Sequence, residues 1–191
     1  MNNKINALFK FKFLFKRSTT IVVIGEEKEE SKQVINQILS AFPKTEKDFL
    51  VFTADNKNIN DFKFFLEYSK RPIFVVTQMN ALQKNILETI NSLPRKTTLV
   101  LNFDNLITKK IKRLTKVKIL SFGFSEESDF TAINNDIGLK IDYKGNIIPV
   151  WLKGKSQKDI YPILCSLVIG FVLGLNLVEI SQIFKKNNIS L

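Results

Sequence analysis

Two short apolar runs limit the folds open to this chain. Residues 99–101 and 117–122 are mainly apolar, and each run is followed at once by polar residues or glycine. The basic segment 109–116 lies between them, so residues 97–137 have the pattern of strand, helix and strand. A connection of this length joins parallel strands, because antiparallel neighbours need only a short turn. We therefore expect part of a parallel sheet here.

The carboxyl ends of these two strands are the first candidate ligand site. In open parallel sheets, ligands bind in the crevice beyond the carboxyl ends of the strands. Asn102, Asp104 and Gly123 directly follow the apolar runs. We expect these three residues to lie together at one edge of the sheet.

The rest of the chain repeats the alternation of strand and helix. Apolar runs typical of strands alternate with segments of helical spacing, and Lys144-Gly145 indicates a hairpin turn. The predicted strands are residues 20–24, 48–53 and 72–77, the hairpin strands are 138–143 and 146–152, and the predicted helices are 59–68, 81–93 and the one with Val34, Ile35, Ile38, Leu39 and Phe42 on one face. The pattern predicts an α/β fold with a doubly wound, mostly parallel sheet, helices on both faces, and a C-terminal hairpin and helix pair.

Composition excludes several kinds of chemistry. The chain has no histidine and one cysteine, Cys165, which lies in an apolar run. Catalytic triads, most zinc sites and a disulfide framework are therefore excluded, and a reducing, cytoplasmic location is expected. Lys and Arg number 29 against 18 Asp and Glu, which gives a formal charge of +11. Because the basic residues are spread along the chain, we expect no specific nucleic-acid binding.

Two apolar segments each leave two interpretations open. Residues 7–16 alternate Phe with Lys and form either an amphipathic lead-in that packs on the domain or an interfacial anchor on anionic lipid. Residues 160–178 hold no charge over about the length of a membrane helix. Pro162, typical of a first helical turn, and two glycines favour a buried helix, followed by an amphipathic helix that starts at Asn176. A single membrane span is the alternative.

The turn after the first strand is where a phosphate-binding loop would lie. Gly25 ends the strand and a helix follows, so backbone N–H groups could approach phosphates while a lysine, Lys28, reaches the outer ones. In place of a glycine-rich segment stand Glu26, Glu27, Glu29 and Glu30. These carboxylates suit the helix dipole, but each would repel a phosphate by several kcal/mol at a separation of ~4 Å. Triphosphate binding is not expected here.

Five segments, taken in order, resemble one family. Residues 99–105 (LVLNFDN) look like the nucleotide-side strand end of the Mur ligases, and residues 117–137 are similar to the strand, glycine and aspartate segment that follows it. Residues 145–185 resemble the family's hairpin, glycine turn and helix pair. One strand of the family resembles residues 72–77 (PIFVVT). The family's first strand and helix resemble residues 19–39. The subfamily that the chain resembles most is the D-alanyl-D-alanine-adding Mur ligases.

The resemblance covers the central domain of the family. It assigns residues 19–191 to one Mur ligase central-like domain of the P-loop type and residues 1–18 to a basic, aromatic lead-in. We expect no counterpart of the family's N-terminal substrate domain or C-terminal amino-acid domain. By resemblance, Gly25 and Lys28 match positions at the phosphates, and Asn102 and Asp104 match positions near the base and ribose.

The family's activity is ATP-dependent, ADP-forming amide ligation in peptidoglycan precursor synthesis, through an acyl phosphate. The chain departs from the family where phosphate and magnesium are handled. Lys28 matches the family's lysine only if one residue has been lost before it. The family's magnesium-binding glutamate falls near Thr53 of this chain, and the family's histidine after the third strand falls where this chain has Gln78. Asn102 and Asp104 are also typical of residues that cap the next helix.

We therefore expect a degenerate Mur ligase central domain without ligase activity, catalytic residues, metal site or cofactor. Its expected role is structural or regulatory in peptidoglycan precursor synthesis, through contact with cell-wall biosynthesis enzymes. One alternative is a divergent UDP-N-acetylmuramoyl-peptide ligase, or a subunit of one, that uses ATP and Mg²⁺. The second is a basic protein in weak contact with an anionic membrane surface.

Overall fold

The structure is a computed structural model that describes residues 7–42, 49–135, 138–150 and 157–187. The strands of these segments are β1 Thr19–Ile24, β2 Phe49–Ala54, β3 Pro72–Val76, β4 Thr98–Asn102, β5 Lys118–Gly123, β6 Phe130–Asn135, β7 Gly138–Tyr143 and β8 Asn146–Val150. They form one sheet in the order β2-β1-β3-β4-β5-β6-β7-β8. Pairing is parallel from β2 to β6 and antiparallel from β6 to β8.

Helices cover both faces of the sheet. They are α1 Ala7–Lys16, α2 Lys28–Ser40, α3 Lys63–Tyr68 (preceded by a 3-10 turn, Ile59–Phe62), α4 Lys84–Asn91, α5 Leu106–Ile111, α6 Gln157–Val172 and α7 Leu177–Asn187. Side chains alternate along β1: Ile21 and Val23 belong to a core with α2, α6 and α7, whereas Val22 and Ile24 belong to a core with α1, α3, α4 and α5. The predicted mostly parallel α/β fold is confirmed.

Element boundaries differ from the prediction in the middle of the chain. Helix α5 occupies residues 106–111 rather than the basic segment 109–116, because Asn105 caps its first turn and the chain turns away after Ile111. Helix α4 begins at Lys84 rather than at residue 81. Residues 1–6 of the predicted lead-in, and residues 48, 151 and 152 at predicted strand ends, lie outside the described residues.

Strand β6 was not predicted from the sequence. Its segment FTAINN has three polar residues among six and ends in two asparagines, so it lacks the apolar run of β1 and β3. It pairs with β5 only through Phe122 with Phe130 and Gly123 with Thr131, but it pairs with β7 along its whole length. The predicted hairpin therefore extends β6, and β6 in turn joins the hairpin to the parallel part of the sheet.

The C-terminal apolar segment is a buried helix followed by a second helix, as one of the two interpretations predicted. Helix α6 is buried from Ile160 to Ile169. It begins earlier than expected, so Pro162 lies beyond its first turn. Asn176 caps α7, since its Oδ1 accepts a hydrogen bond from the Val178 N–H at 2.8 Å. Within the described part of the chain, no helix combines the length and the apolar character that a bilayer crossing requires.

Candidate functional site

The order of the strands produces a crevice between β1 and β3. The chain leaves β1 towards β2 on one side and then continues at β3 on the other side. Ligands of doubly wound sheets bind at such a switch point. A cleft of about 260 Å³ lies there, lined in part by Gly25, Lys28, Asp55, Gln78 and Asn80. Larger hollows of about 700 and 400 Å³ lie on the outer face of α2 and between α3 and α4, away from the strand ends.

Gly25 forms a tight turn against the end of β3. Its φ of +117° lies in the region that favours glycine. A side chain at this position would collide with Thr77 Oγ1 and would lie 2.8 Å from the carbonyl oxygen of Gln78. The same carbonyl accepts a hydrogen bond from the Glu26 N–H at 2.8 Å. The turn expected after the first strand is present, and its first N–H group is used within the fold.

Two carboxylates of this turn face the segment that follows β3. The Glu27 carboxylate accepts a hydrogen bond from the Gln78 N–H at 3.2 Å. The Glu26 carboxylate accepts one from the side-chain amide of Asn80. Backbone N–H groups at a helix N-terminus bind phosphate oxygens, and Glu26 and Glu27 directly precede α2. A phosphate here would have to displace the carboxylates or lie beside them, and the repulsion is worth several kcal/mol at ~4 Å.

Lys28 reaches towards the end of β2 at the first position of α2. Its Nζ lies 3.3 Å from the Ala54 carbonyl oxygen and 3.9 Å from the Asp55 carboxylate, and its side chain is 25% exposed. Asp55 and Glu26 line the same cleft. One cation therefore faces two carboxylates, and the cation is already paired. The geometry favours neither a triphosphate nor any other polyanion.

Asn102 ends β4, and Asp104 follows it beside the carboxyl end of β5, as expected. Neither residue lines the cleft. Asn102 is 1% exposed, and its Oδ1 accepts a hydrogen bond from the Asp104 N–H at 3.0 Å. The Asp104 carboxylate accepts hydrogen bonds from the N–H groups of Phe124 and Ser125 at 2.7 and 2.8 Å, and from the Tyr161 hydroxyl at 3.1 Å. This carboxylate therefore ties β4, the loop after β5 and α6 together.

Gly123 allows this close approach. A Cβ atom at Gly123 would lie 2.8 to 2.9 Å from the carboxylate atoms of Asp104, well inside van der Waals contact. The expected grouping of Asn102, Asp104 and Gly123 at one edge is thus present. Its contacts are intramolecular hydrogen bonds and backbone packing.

Asn105 has a role that the sequence reasoning did not assign. Its Oδ1 accepts hydrogen bonds from the N–H groups of Ile107 and Thr108, so this residue caps α5. Its Nδ2 donates to the Met79 carbonyl oxygen at 2.9 Å, and Met79 also lines the cleft. In the sequence, the sign of this cap is the position of Asn105 directly before the helical segment.

Among the described residues, the cleft contains neither a reactive thiol nor a group of metal-binding side chains. Burial raises the pKa of the Cys165 thiol from its ordinary value of 9.0 to about 12. The thiol is therefore protonated at neutral pH and inert as a nucleophile. Among the residues that the structure describes, no group of three or more His, Cys, Asp or Glu side chains is arranged to hold a metal ion.

Comparison with known proteins gives a clear result for the fold. No protein-family model matches the chain, and no curated protein sequence matches it significantly. Solved structures do match. MurF from Acinetobacter baumannii superposes with a TM-score of 0.70 at 13% identity, over 93% of this chain and 47% of that one. MurF ligase from Thermotoga maritima in complex with ADP superposes with a TM-score of 0.61 at 14% identity, over 92% and 53%.

A third match extends the likeness beyond MurF. The UDP-N-acetylmuramate:L-alanyl-gamma-D-glutamyl-meso-diaminopimelate ligase from Neisseria meningitides superposes with a TM-score of 0.71 at 11% identity, over 94% of this chain and 68% of that one. The chain spans about half the length of the MurF structures that it matches. At these identities the likeness concerns the architecture: the chain has a Mur ligase-like fold.

Proposed function

We propose that this chain is a Mur ligase-like domain that does not catalyse ligation and that acts as a structural or regulatory component of peptidoglycan precursor synthesis. The observation that carries the proposal is the pair of carboxylates at the turn after β1. There the carboxylates of Glu26 and Glu27 accept the hydrogen bonds of Asn80 and Gln78. The proposed partners are cell-wall biosynthesis enzymes, and the proposed location is the cytoplasm.

The physical requirements of phosphoryl transfer support this proposal. Catalysis of that reaction rests on positioning and on offsetting the charge of the phosphates, normally with a phosphate loop, a lysine and Mg²⁺. In this cleft the lysine is paired with Asp55, and the loop contributes carboxylates. By resemblance the magnesium-binding glutamate falls near Thr53, and threonine offers a neutral hydroxyl. The paired lysine and the carboxylates of the loop therefore make the cleft a poor fit for the phosphates of a nucleotide.

Calorimetric titration of the whole chain with Mg-ATP and with Mg-ADP tests the proposal. We expect no binding heat at micromolar to low millimolar nucleotide. The double variant Glu26→Gln with Glu27→Gln keeps the size of both side chains and removes both charges. We expect it to gain weak nucleotide binding, because the repulsion is lost and the amide groups can donate hydrogen bonds. Micromolar binding by the unmodified chain would contradict the proposal.

One observation favours a second candidate, a divergent ligase subunit whose remaining parts come from another chain. Lys28 lies in the cleft with its side chain three-quarters buried, which places one positive charge where an anionic ligand would bind. The similar Thermotoga maritima structure holds ADP. This candidate requires micromolar ATP binding that Lys28→Ala abolishes and that Lys32→Ala, one turn further along α2, leaves intact.

A further inference from the structure

Helix α1 attaches to the domain through one narrow side. Phe13 is 4% exposed, and its ring lies 4.9 Å from that of Phe65, centroid to centroid. Phe9 meets the same ring at 5.6 Å. Phe65 itself is fully buried on α3. These contacts hold one side of α1 against the domain and fix which side faces outward.

The outward side of α1 is also apolar. Leu8, Phe11, Leu14 and Phe15 are 57%, 57%, 37% and 79% exposed. At ~100° per residue these four side chains span an arc of roughly 120°, on the side of the helix opposite Phe13. The rings of Phe11 and Phe15 contact each other edge to face, with their centroids 5.0 Å apart. A continuous apolar surface therefore faces away from the described part of the protein, with Phe15 as its most exposed member.

Lysines border this surface on both sides. The same helical spacing puts Lys10 at one border and Lys12 and Lys16 at the other. The helix contains no acidic residue. Lys10 Nζ lies 5.4 Å from the centroid of the Phe64 ring on α3, so this lysine contacts the domain at the border of the apolar face. Bulky apolar side chains with lysines at both borders match the headgroup and acyl layers of an anionic bilayer.

We propose that the outer face of α1 binds the surface of a membrane rich in anionic phospholipid. The ten-residue helix is about 15 Å long, which is half the hydrocarbon thickness, so it lies in the plane of the interface and does not cross. A second copy of the chain is a poorer occupant, because it would bring Lys10, Lys12 and Lys16 towards their own equivalents on a protein of formal charge +11. This inference is independent of the function proposed for the cleft.

Co-sedimentation of the whole chain with vesicles tests the inference. We expect binding to vesicles of equal parts phosphatidylglycerol and phosphatidylcholine, and much weaker binding to phosphatidylcholine alone. The double variant Phe11→Ser with Phe15→Ser should lower the partition coefficient about tenfold or more. A control that changes two exposed apolar residues elsewhere, Leu114→Ser with Ile147→Ser, should leave it unchanged. Thermal melts confirm that each variant is folded.

The charge contribution is tested separately. Lys10→Gln with Lys12→Gln should weaken binding to the anionic vesicles about tenfold, and added salt should have a similar effect. Equal binding of the wild type to neutral and anionic vesicles, or no loss of binding in the Phe11/Phe15 variant, would overturn the inference. So would a dimer of the wild type in solution that the Phe11/Phe15 variant converts to a monomer, because a second copy would then cover the face.

Discussion

Replacement of Asp104 by alanine should destabilise the chain more than replacement of any exposed aspartate. The Asp104 carboxylate accepts three hydrogen bonds, two from backbone N–H groups and one from the Tyr161 hydroxyl. The partners lie on the loop after β5 and on α6, far from Asp104 in the sequence. Losing the carboxylate therefore loosens the connections between two strands and the long buried helix.

The expected magnitude follows from the number and kind of these bonds. A hydrogen bond to a charged group contributes about 1.5 to 3 kcal/mol. Because Asp104 is only half-buried, water can reach the freed donors, and we take about 1 kcal/mol for each bond. Asp104→Ala should therefore lower the free energy of unfolding by about 3 kcal/mol, and Tyr161→Phe by about 1 kcal/mol. For a chain of this size, 3 kcal/mol corresponds to a decrease in Tm of about 6 to 12 °C.

Urea denaturation, followed by circular dichroism, measures these differences. The exposed Asp61→Ala serves as the control and should stay within about 0.5 kcal/mol of the wild type. In the Asp104→Ala and Tyr161→Phe double variant, the effects should be less than additive by about 1 kcal/mol, because one bond is counted in both single variants. If Asp104→Ala proves as stable as the Asp61 control, the carboxylate does not hold this edge together and a ligand-binding role becomes the better explanation.

Two further predictions concern single side chains. Asn105→Ala should lower the free energy of unfolding by about 1 to 2 kcal/mol through loss of the α5 cap. Asn105→Ser keeps a capping oxygen, places no second oxygen against the Met79 carbonyl and should cost less; urea denaturation of both variants distinguishes them. Cys165 should resist a disulfide reagent at pH 8.5 in the folded chain and react at once in urea, because burial raises its pKa to about 12. As the pH rises from 9 towards 12, the thiol of the unfolded chain ionises before that of the folded chain. The wild type should therefore lose stability relative to Cys165→Ala over this range. Rapid labelling of the folded chain by the disulfide reagent would contradict the burial of Cys165.

The parallel part of the sheet was predictable because its strands have a local signal. β3 lies within one residue of its predicted limits, since a continuous apolar run between Pro72 and the polar residues after Thr77 leaves little freedom. β6 has no such signal. Its polar residues are compatible with a strand only because β7 pairs with its whole length. Local pattern therefore predicted the buried strands and missed the strand that depends on its neighbour.

The candidate site was predictable in position and only partly in chemistry. A glycine at the end of β1 predicted the tight turn, and the glutamates after it predicted an unfavourable place for phosphate. Their partners Gln78 and Asn80 are more than fifty residues away, so the hydrogen bonds could not be inferred. For Asp104, a carboxylate after a strand looks the same in sequence whether it contacts a ribose or the N–H groups of a neighbouring loop. The path of residues 124–125 decides between these roles, and that path is a tertiary property.

The two edges share one chemical arrangement, which connects the stability of the chain with its proposed lack of nucleotide binding. At the β1–β3 edge, Glu27 accepts the hydrogen bond of a backbone N–H that follows β3. At the β4–β5 edge, Asp104 accepts those of two N–H groups that follow β5. Backbone donors at such edges need an acceptor, and a bound phosphate or ordered water serves when the chain supplies none. An internal carboxylate serves permanently and at a high effective concentration, so the N–H groups of Gln78, Phe124 and Ser125 need no ligand. Any anion must then compete with a group that cannot diffuse away. The hydrogen bonds that stabilise the free domain therefore lower its affinity for a nucleotide.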